Sequence, residues 1–446
     1  MPNPVPSSFV TGLRLCAALL LLASPGRDAR AQTPPPERVT LAEALARAQA
    51  NSHRLAELTA RESASGAVVD QRARAGLPVV SALAGYQRTN HVDEFGFIQS
   101  GRFQVLYPDV PDNWRARLDL QWPIYTGGRT QALERAARAE RHAAGRDLDA
   151  ARADLRLETA RAFWALVTAA ESVVVVEGAV RRIEAQLHDV RARFDAGFLP
   201  PNDVLTVEAR AARQTSLLTE ARNTRDSVRA ELARLMGAPL DADFEADADL
   251  TDTRVASAAA ADTATAARAE HDAQQLRVEA AHARVAAARA DTRPSVAVLA
   301  GYDYARPNPR IFPRADAWED SWDVGVNVSF TLWNGGRTAA QLAETRLLAD
   351  AARARLAEVD SQIALEVRQR RLDLSSSISQ VETAEVAVRA ATEARRVVAE
   401  RFSAGVATSS DLLDADVDQL QAELDRTRAR AGVRLAQARL DRALGR

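Results

Sequence analysis

Residues 114–129 read Trp-Arg-Ala-Arg-Leu-Asp-Leu-Gln-Trp-Pro-Ile-Tyr-Thr-Gly-Gly-Arg, and residues 322–337 read Trp-Asp-Val-Gly-Val-Asn-Val-Ser-Phe-Thr-Leu-Trp-Asn-Gly-Gly-Arg. In each, apolar and polar residues alternate up to a Gly-Gly-Arg junction. Successive side chains of a strand point to opposite faces. One face of the first stretch carries Trp114, Ala116, Leu118, Leu120 and Trp122; the other carries Arg115, Arg117, Asp119 and Gln121. In the second, Trp322, Val324, Val326, Val328, Phe330 and Leu332 oppose Asp323, Gly325, Asn327, Ser329 and Thr331. Such alternation over about nine to eleven residues, with aromatics at the ends, fits a strand tilted across a bilayer, apolar outside and wet inside. A half-buried strand of a water-soluble sheet alternates in the same way, so the surrounding chain has to decide.

The surrounding chain is duplicated. Gly85-Tyr86 returns as Gly301-Tyr302, 216 positions later. Gly127-Gly128-Arg129 returns as Gly335-Gly336-Arg337, and Arg193-Phe194 with Gly197 returns as Arg401-Phe402 with Gly405, both 208 positions later. Within each copy, long Ala/Arg/Leu-rich helical patterns are interrupted by two short alternating stretches. A repeated supersecondary unit of this kind signals one architecture built twice.

The start of the chain has the marks of an export signal. Arg14 precedes an apolar run from Leu15 to Ala23, and Ala29-Arg30-Ala31 supplies a small-x-small cleavage site. Residues 1–31 are expected to be removed, and Cys16, the single cysteine, goes with them. Leu13-Arg14-Leu15 before it does not suit lipid attachment. The formal net charge of −2 gives no electrostatic basis for binding nucleic acid. No later segment approaches 18 consecutive apolar residues, so no transmembrane helix is expected, and any bilayer crossing is left to strands of a closed barrel.

The expected order is residues 32–237 as a first repeat, 238–262 as a solvated Asp/Ala/Thr-rich linker, and 263–446 as a second repeat. Repeat one reads as a helix over about 41–75, strands over about 79–88 and 114–122 joined by a polar loop, a helix over about 129–196, a tight turn and a helix over about 203–236. Repeat two reads as a helix over about 263–292, strands over about 296–304 and 322–333, a helix over about 337–404, a turn at Gly405 and a helix from near Asp411. A helix of 68 residues is about 100 Å long. The two short helices of repeat one, laid end to end, match its long helix, which predicts a tall helical wall with strands at one end and turns at the other. Val173, Val176, Val180, Ile183, Leu187, Val190 and Phe194 form a heptad seam, weaker in its second copy at Val381, Ala384, Val388, Ala391, Arg395, Val398 and Phe402. Arg395 points to a solvated face there.

Four strands cannot close a barrel, and an open sheet would leave unpaired backbone in lipid. Several chains must therefore share one barrel. At the turns, Gly197 and Gly405 release the backbone, and Asp203 and Asp411 are placed to cap the next helices. Asp414 is not needed for a cap. The six histidines (His53, His91, His142, His188, His271 and His282) lack metal-ligand spacing, and most are expected on solvated helical faces. No phosphate loop is present, and no enzyme, cofactor or metal site is expected.

The paired Gly-Gly-Arg junctions and the doubled Arg-Phe-x-x-Gly…Asp-(Val/Leu)-Leu turns resemble the outer membrane efflux protein family, the TolC-like outer membrane factors. The resemblance spans essentially the whole exported chain. It implies a homotrimer whose chains build a 12-stranded transmembrane β-barrel on a helical coiled-coil tunnel in the periplasm. The implied function is a passive exit duct of a tripartite efflux pump or type I secretion system, fed indirectly by an inner-membrane transporter. It further implies that Gly197, Phe198, Leu199, Gly405 and Val406 meet a periplasmic adaptor, with Arg193, Phe194, Asp203, Arg401 and Phe402 framing the tip. Asp411 and Asp414 match acidic positions that form a cation-sensitive ring at the pore entrance. Trp114, Leu118, Leu120, Trp122, Trp322, Val324, Val326, Val328 and Phe330 would face lipid, and Gly127, Gly128, Gly335 and Gly336 would join barrel to helix. Where the family closes its tip with a tyrosine and an arginine, this chain has Phe402 and Ala407, which cannot form those bonds. The alternative is a soluble periplasmic coiled-coil scaffold with no membrane barrel.

Overall fold

The computed structural model describes residues 37–250 and 268–446. The expected signal segment and the second half of the expected linker lie outside these residues. Repeat one opens with β1 (Glu37–Val39), α1 (Leu41–Asn51) and α2 (His53–Arg74). The single helix expected over 41–75 is thus two. Ser52 ends α1 in an extended conformation, and its hydroxyl accepts from the Leu55 N–H at the start of α2. Thr40 caps α1 with Glu43 in a reciprocal capping box.

Next come β2 (Val79–Arg88), β3 (Phe95–Gln99), β4 (Arg102–Tyr107) and β5 (Asp112–Tyr125). The polar loop expected before residue 114 therefore contains its own hairpin, β3–β4. Strand β5 also runs through Pro123, which was expected to end it. Pairing skips a residue between Pro123 and Tyr125, so a local irregularity absorbs the missing proline donor. Then follow α3 (Arg129–Asp195), α4 (Pro201–Met236) and β6 (Phe244–Ala246). The segment 238–250, expected to be a solvated linker, is partly structured. β6 pairs in parallel with β1, and Phe244 and Leu250 are buried against α3 and α4.

Repeat two supplies α5 (Ala269–Ala290), β7 (Ser295–Arg306), β8 (Glu319–Ser329), α6 (Arg337–Ser403) and α7 (Ser409–Ala443). β8 stops before Phe330–Trp333, which were expected to extend it. Each long helix has 67 residues, about 100 Å at 1.5 Å per residue. Gly127-Gly128 and Gly335-Gly336 turn each strand into its long helix through the left-handed region, with φ of 66°, 91°, 68° and 82°. Side chains are strained there, so glycine is required.

The long helices are the spine. Along its first part α3 meets α2 and α5, through Arg141–Glu62 (3.1 Å), Arg284–Glu140 (3.0 Å) and Arg277–Asp147 (2.5 Å). Further along it meets α4 and α7, through Arg222–Glu177 (2.8 Å) and Arg182–Glu423 (3.6 Å). The short helices therefore do lie end to end beside the long one. One stretch of α3, with mean hydropathy 1.6 over 18 residues, is long and apolar enough to cross a membrane. Part of it packs into the core. Phe163, Leu166 and Val167 pack on Leu232 and Met236 of α4, and Val176 and Ala179 pack on Leu420 of α7.

Where upper and lower helices meet, a polar joint ties the repeats. Buried Arg268 donates to Glu270, to Glu366 (2.8 Å) and to the Ala443 carbonyl (3.1 Å). Arg442 bridges Glu270 and Asp154. Burial alone would raise the Glu270 carboxyl, but the hydrogen bonds from Arg268 and Arg442 overcome it and hold the pKa at about 2. A carboxylate with a depressed folded pKa stabilises above its unfolded pKa and loses that contribution as pH falls through the folded one. Glu270→Gln should therefore lower the helix-melting midpoint at pH 7. The gap to the parent should close as pH drops from about 4.5 to about 2, as read by circular dichroism of the detergent-solubilised protein.

Candidate functional site

Four strands form one antiparallel sheet in the order β2-β5-β7-β8. Pairing of Leu118 with Tyr302, Tyr302 with Trp322 and Tyr86 with Trp114 sets the register. That register aligns the alternations of all four strands. One face gathers Val80, Leu118, Leu120, Val298, Val324, Val326 and Val328. Tyr86, Trp114, Tyr302, Tyr304 and Trp322 mark its outer end and Trp122 its helical end, with exposed Phe330 just past the end of β8. Most of these side chains are exposed, Leu120 and Val298 being half-buried. An exposed apolar face of this size between two aromatic bands is a lipid-facing surface in form.

The opposite face is polar and cross-linked. Asp303 of β7 is buried beneath two arginines of β5. Arg115 donates to it bidentately at 2.6 and 3.0 Å, and Arg117 donates to Asp303 and to Asp119 (2.7 Å). Gly301 makes room for this, because a Cβ there would strike the Arg117 guanidinium and Asp323. Sequence reading set Arg115, Arg117 and Asp119 on the wet face but missed Asp303. Its signal was available, since Asp303 sits two positions from Gly301 in the same alternation.

At the far end the two turns are built alike. Gly197 (φ 79°) and Gly405 (φ 77°) end α3 and α6, while Phe198 and Val406 donate back to the carbonyls of Arg193 (2.8 Å) and Arg401 (2.9 Å). Phe198 is 80% exposed and Val406 64%. Leu199 is half-buried against Ile183, Val190 and Val207, a less open position than the docking expectation gives it. Arg193 reaches across to repeat two. Its guanidinium donates to the Phe402 carbonyl (3.2 Å) and lies 4.8 Å from the centre of the Phe402 ring.

The capping expectation divides. Asp411 and Thr408 form a capping box at the start of α7, in which the Thr408 N–H donates to the Asp411 carboxylate (2.9 Å) and the Asp411 N–H to the Thr408 hydroxyl (3.2 Å). Hydrogen bonds from the Thr408 backbone and hydroxyl, with a smaller effect of the Arg401 charge, hold the Asp411 carboxyl below the usual carboxylate range. Asp203 makes no such cap. Pro200 occupies the N-cap position of α4, and Asp203 sits in the first turn, where its charge favours the helix N-terminus. Asp414 is exposed, 3.8 Å from Arg210 of α4. Asp411, Asp414 and Asp418 line an open groove of about 740 Å³ with Arg401 and alanines of α6.

Two expectations of solvated faces change. Arg395 is half-buried and donates to Asp416 across α6–α7 at 2.6 Å. His271 is half-buried 2.6 Å from Asp360, bracing α5 against α6, while His282 stays exposed as expected, 2.8 Å from Arg353.

A family profile described as "Outer membrane efflux protein" matches residues 44–238 and 260–446. The outer membrane protein TolC of Vibrio cholerae is 23% identical over 414 residues, covering 91% of this chain and 90% of that one. The alkaline protease secretion protein AprF of Pseudomonas aeruginosa is 25% identical over 292 residues, covering 64% and 60%. The crystal structure of the outer membrane protein VceC of V. cholerae superposes with a TM-score of 0.75 at 21% identity, covering 91% of this chain and 96% of that one.

The unequal bonding of the two tip acids has a consequence. Asp411→Ala should speed amide exchange over residues 409–413, because the α7 cap loses its reciprocal bond, whereas Asp414→Ala should leave those rates unchanged. Hydrogen-exchange mass spectrometry distinguishes the two.

Proposed function

The chain belongs to the outer membrane efflux protein family, outer-membrane channels with a large periplasmic tunnel, and on that premise we propose the following mechanism for its work as the passive exit duct of a tripartite efflux pump or type I secretion system. The observation that carries it is the four-stranded sheet with one apolar exposed face and two unpaired edges, β2 and β8. Three copies bring twelve strands, enough to close a barrel whose wet face lines the pore. Arg115, Arg117, Asp119, Asp303 and Asp323 then line the lumen, and the 67-residue helices extend it across the periplasm. The duct does no chemistry of its own. An inner-membrane transporter supplies the energy and a periplasmic adaptor seals the junction.

Efflux and secretion remain two uses of one duct. The family description names efflux, and the relative AprF is named for protease secretion.

Near the pore axis, Asp411 and Asp414 would be present in three copies each and would attract cations and retard anions. In a planar bilayer the purified protein should form ohmic pores. Asp411→Ala with Asp414→Ala should lower the cation-to-anion permeability ratio several-fold and weaken divalent block. A protein that opens no pores contradicts the channel; pores of unchanged selectivity contradict the acidic ring.

Phe198 and Val406 are the apolar groups offered to an adaptor, with Leu199 behind them. Phe198→Asp with Val406→Asp should cut in-cell crosslinking to the adaptor at least several-fold while the oligomer stays intact. Persistent crosslinking places the adaptor contact elsewhere.

A further inference from the structure

The internal duplication makes the chain a template for its own contact with the next copy. Within one repeat the hairpin register repeats faithfully. Val79 pairs with Gln121, and adding the 216 and 208 offsets gives Ser295 with Ser329, the pair observed between β7 and β8. Repeat one also contacts repeat two, through β5 on β7, α3 on α5 and α7, and Arg193 on Phe402. Among the described residues the corresponding surfaces of repeat two stand open.

The open surfaces can be compared atom by atom. Gly127 lies against α5, and a Cβ there would sit 2.7 Å from the Ala290 carbonyl oxygen; at its twin Gly335 nothing lies within 4 Å. Phe402, covered by Arg193, is 7% exposed, and its twin Phe194 is 39% exposed. Arg401, the twin of Arg193, is exposed and donates no hydrogen bond among the described residues, although its turn has the same backbone geometry. A guanidinium without an aromatic, an aromatic without its guanidinium and a glycine without a wall all lie on faces that a copy would fill.

We propose that Arg401 seats on Phe194 of the partner subunit and donates to its carbonyl, repeating between copies the contact that Arg193 makes with Phe402 inside the chain. The proposal rests on the channel reading above. Three such latches would alternate with three internal ones around the tip. Opening would break the intersubunit set and spare the internal set, which is anchored in one chain. The same rule fixes the strand seam: Leu118 opposite Tyr302 becomes Val326 opposite Tyr86 of the partner subunit, lipid face on lipid face. This latch needs neither a tyrosine nor a second arginine, groups this tip lacks at Phe402 and Ala407.

The chain has no cysteine beyond Cys16, so introduced pairs report cleanly. Arg401→Cys with Phe194→Cys, both at exposed positions, is treated with a short bismaleimide in outer-membrane fractions. Tyr86→Cys with Val326→Cys is oxidised in parallel. On denaturing gels both should shift most of the protein from one chain to a three-chain band. Arg193→Cys with Phe402→Cys should stay at one chain, and each single variant should stay there too. A three-chain band from the strand pair without one from the tip pair overturns the latch and leaves the channel reading standing. No multichain band from either pair, with a monomer as native mass, overturns both.

Discussion

The structure depends on a debt of backbone hydrogen bonds. β2 and β8 end the sheet, and each presents a row of N–H and C=O groups left unpaired among the described residues. In water such an edge is a liability, and in lipid it is prohibitive. The apolar face that runs from Trp114 to Trp122 and from Trp322 to Phe330 makes lipid the medium this sheet suits. The edges must then be satisfied by other copies of the same sheet. Closure by further copies turns the polar face of each sheet inward.

The helical half obeys a different constraint. A 67-residue helix cannot bury a continuous stripe against one partner of ordinary length, so each long helix is shared by an upper and a lower short helix. The joint between them is where the polar groups collect: Arg268, Glu270, Arg442 and Asp154 fill the gap that helix ends leave. Here β1 and β6 pair, with Phe244 and Val39 closing the core beside Phe163.

Much of this was legible in the sequence, because period two and period seven are both visible without a structure. The alternation fixed which side chains share a face, and Gly-Gly-Arg fixed where strand becomes helix. Features that rest on contact rather than period were not legible. Ser52 breaks a helix by one hydroxyl, and nothing in the apolar spacing marks it. The β3–β4 hairpin did leave a signal, because Phe95, Phe97, Ile98, Phe103, Val105 and Tyr107 flank a Ser100-Gly101 turn, but Gly, Pro and Asp on either side led the whole segment to read as a polar loop. Phe244 is one buried aromatic in an acidic segment that composition alone reads as solvated. At the site, the exposure of Phe198 and Val406 follows from the turn they share. Asp203 and Asp411 looked equivalent in sequence, yet Pro200 occupies one cap and Thr408 shares the other. Arg193 on Phe402 joins residues 209 positions apart, a distance that no local pattern spans.

The central claim is that lipid-facing strands from several copies close one barrel. It is tested most directly by the native mass of the mature protein in an outer-membrane fraction, before and after detergent extraction. The account predicts that the protein leaves the membrane only with detergent and runs as a trimer. A monomer or dimer released without detergent would contradict it, because the exposed faces of β5 and β8 would then never meet lipid.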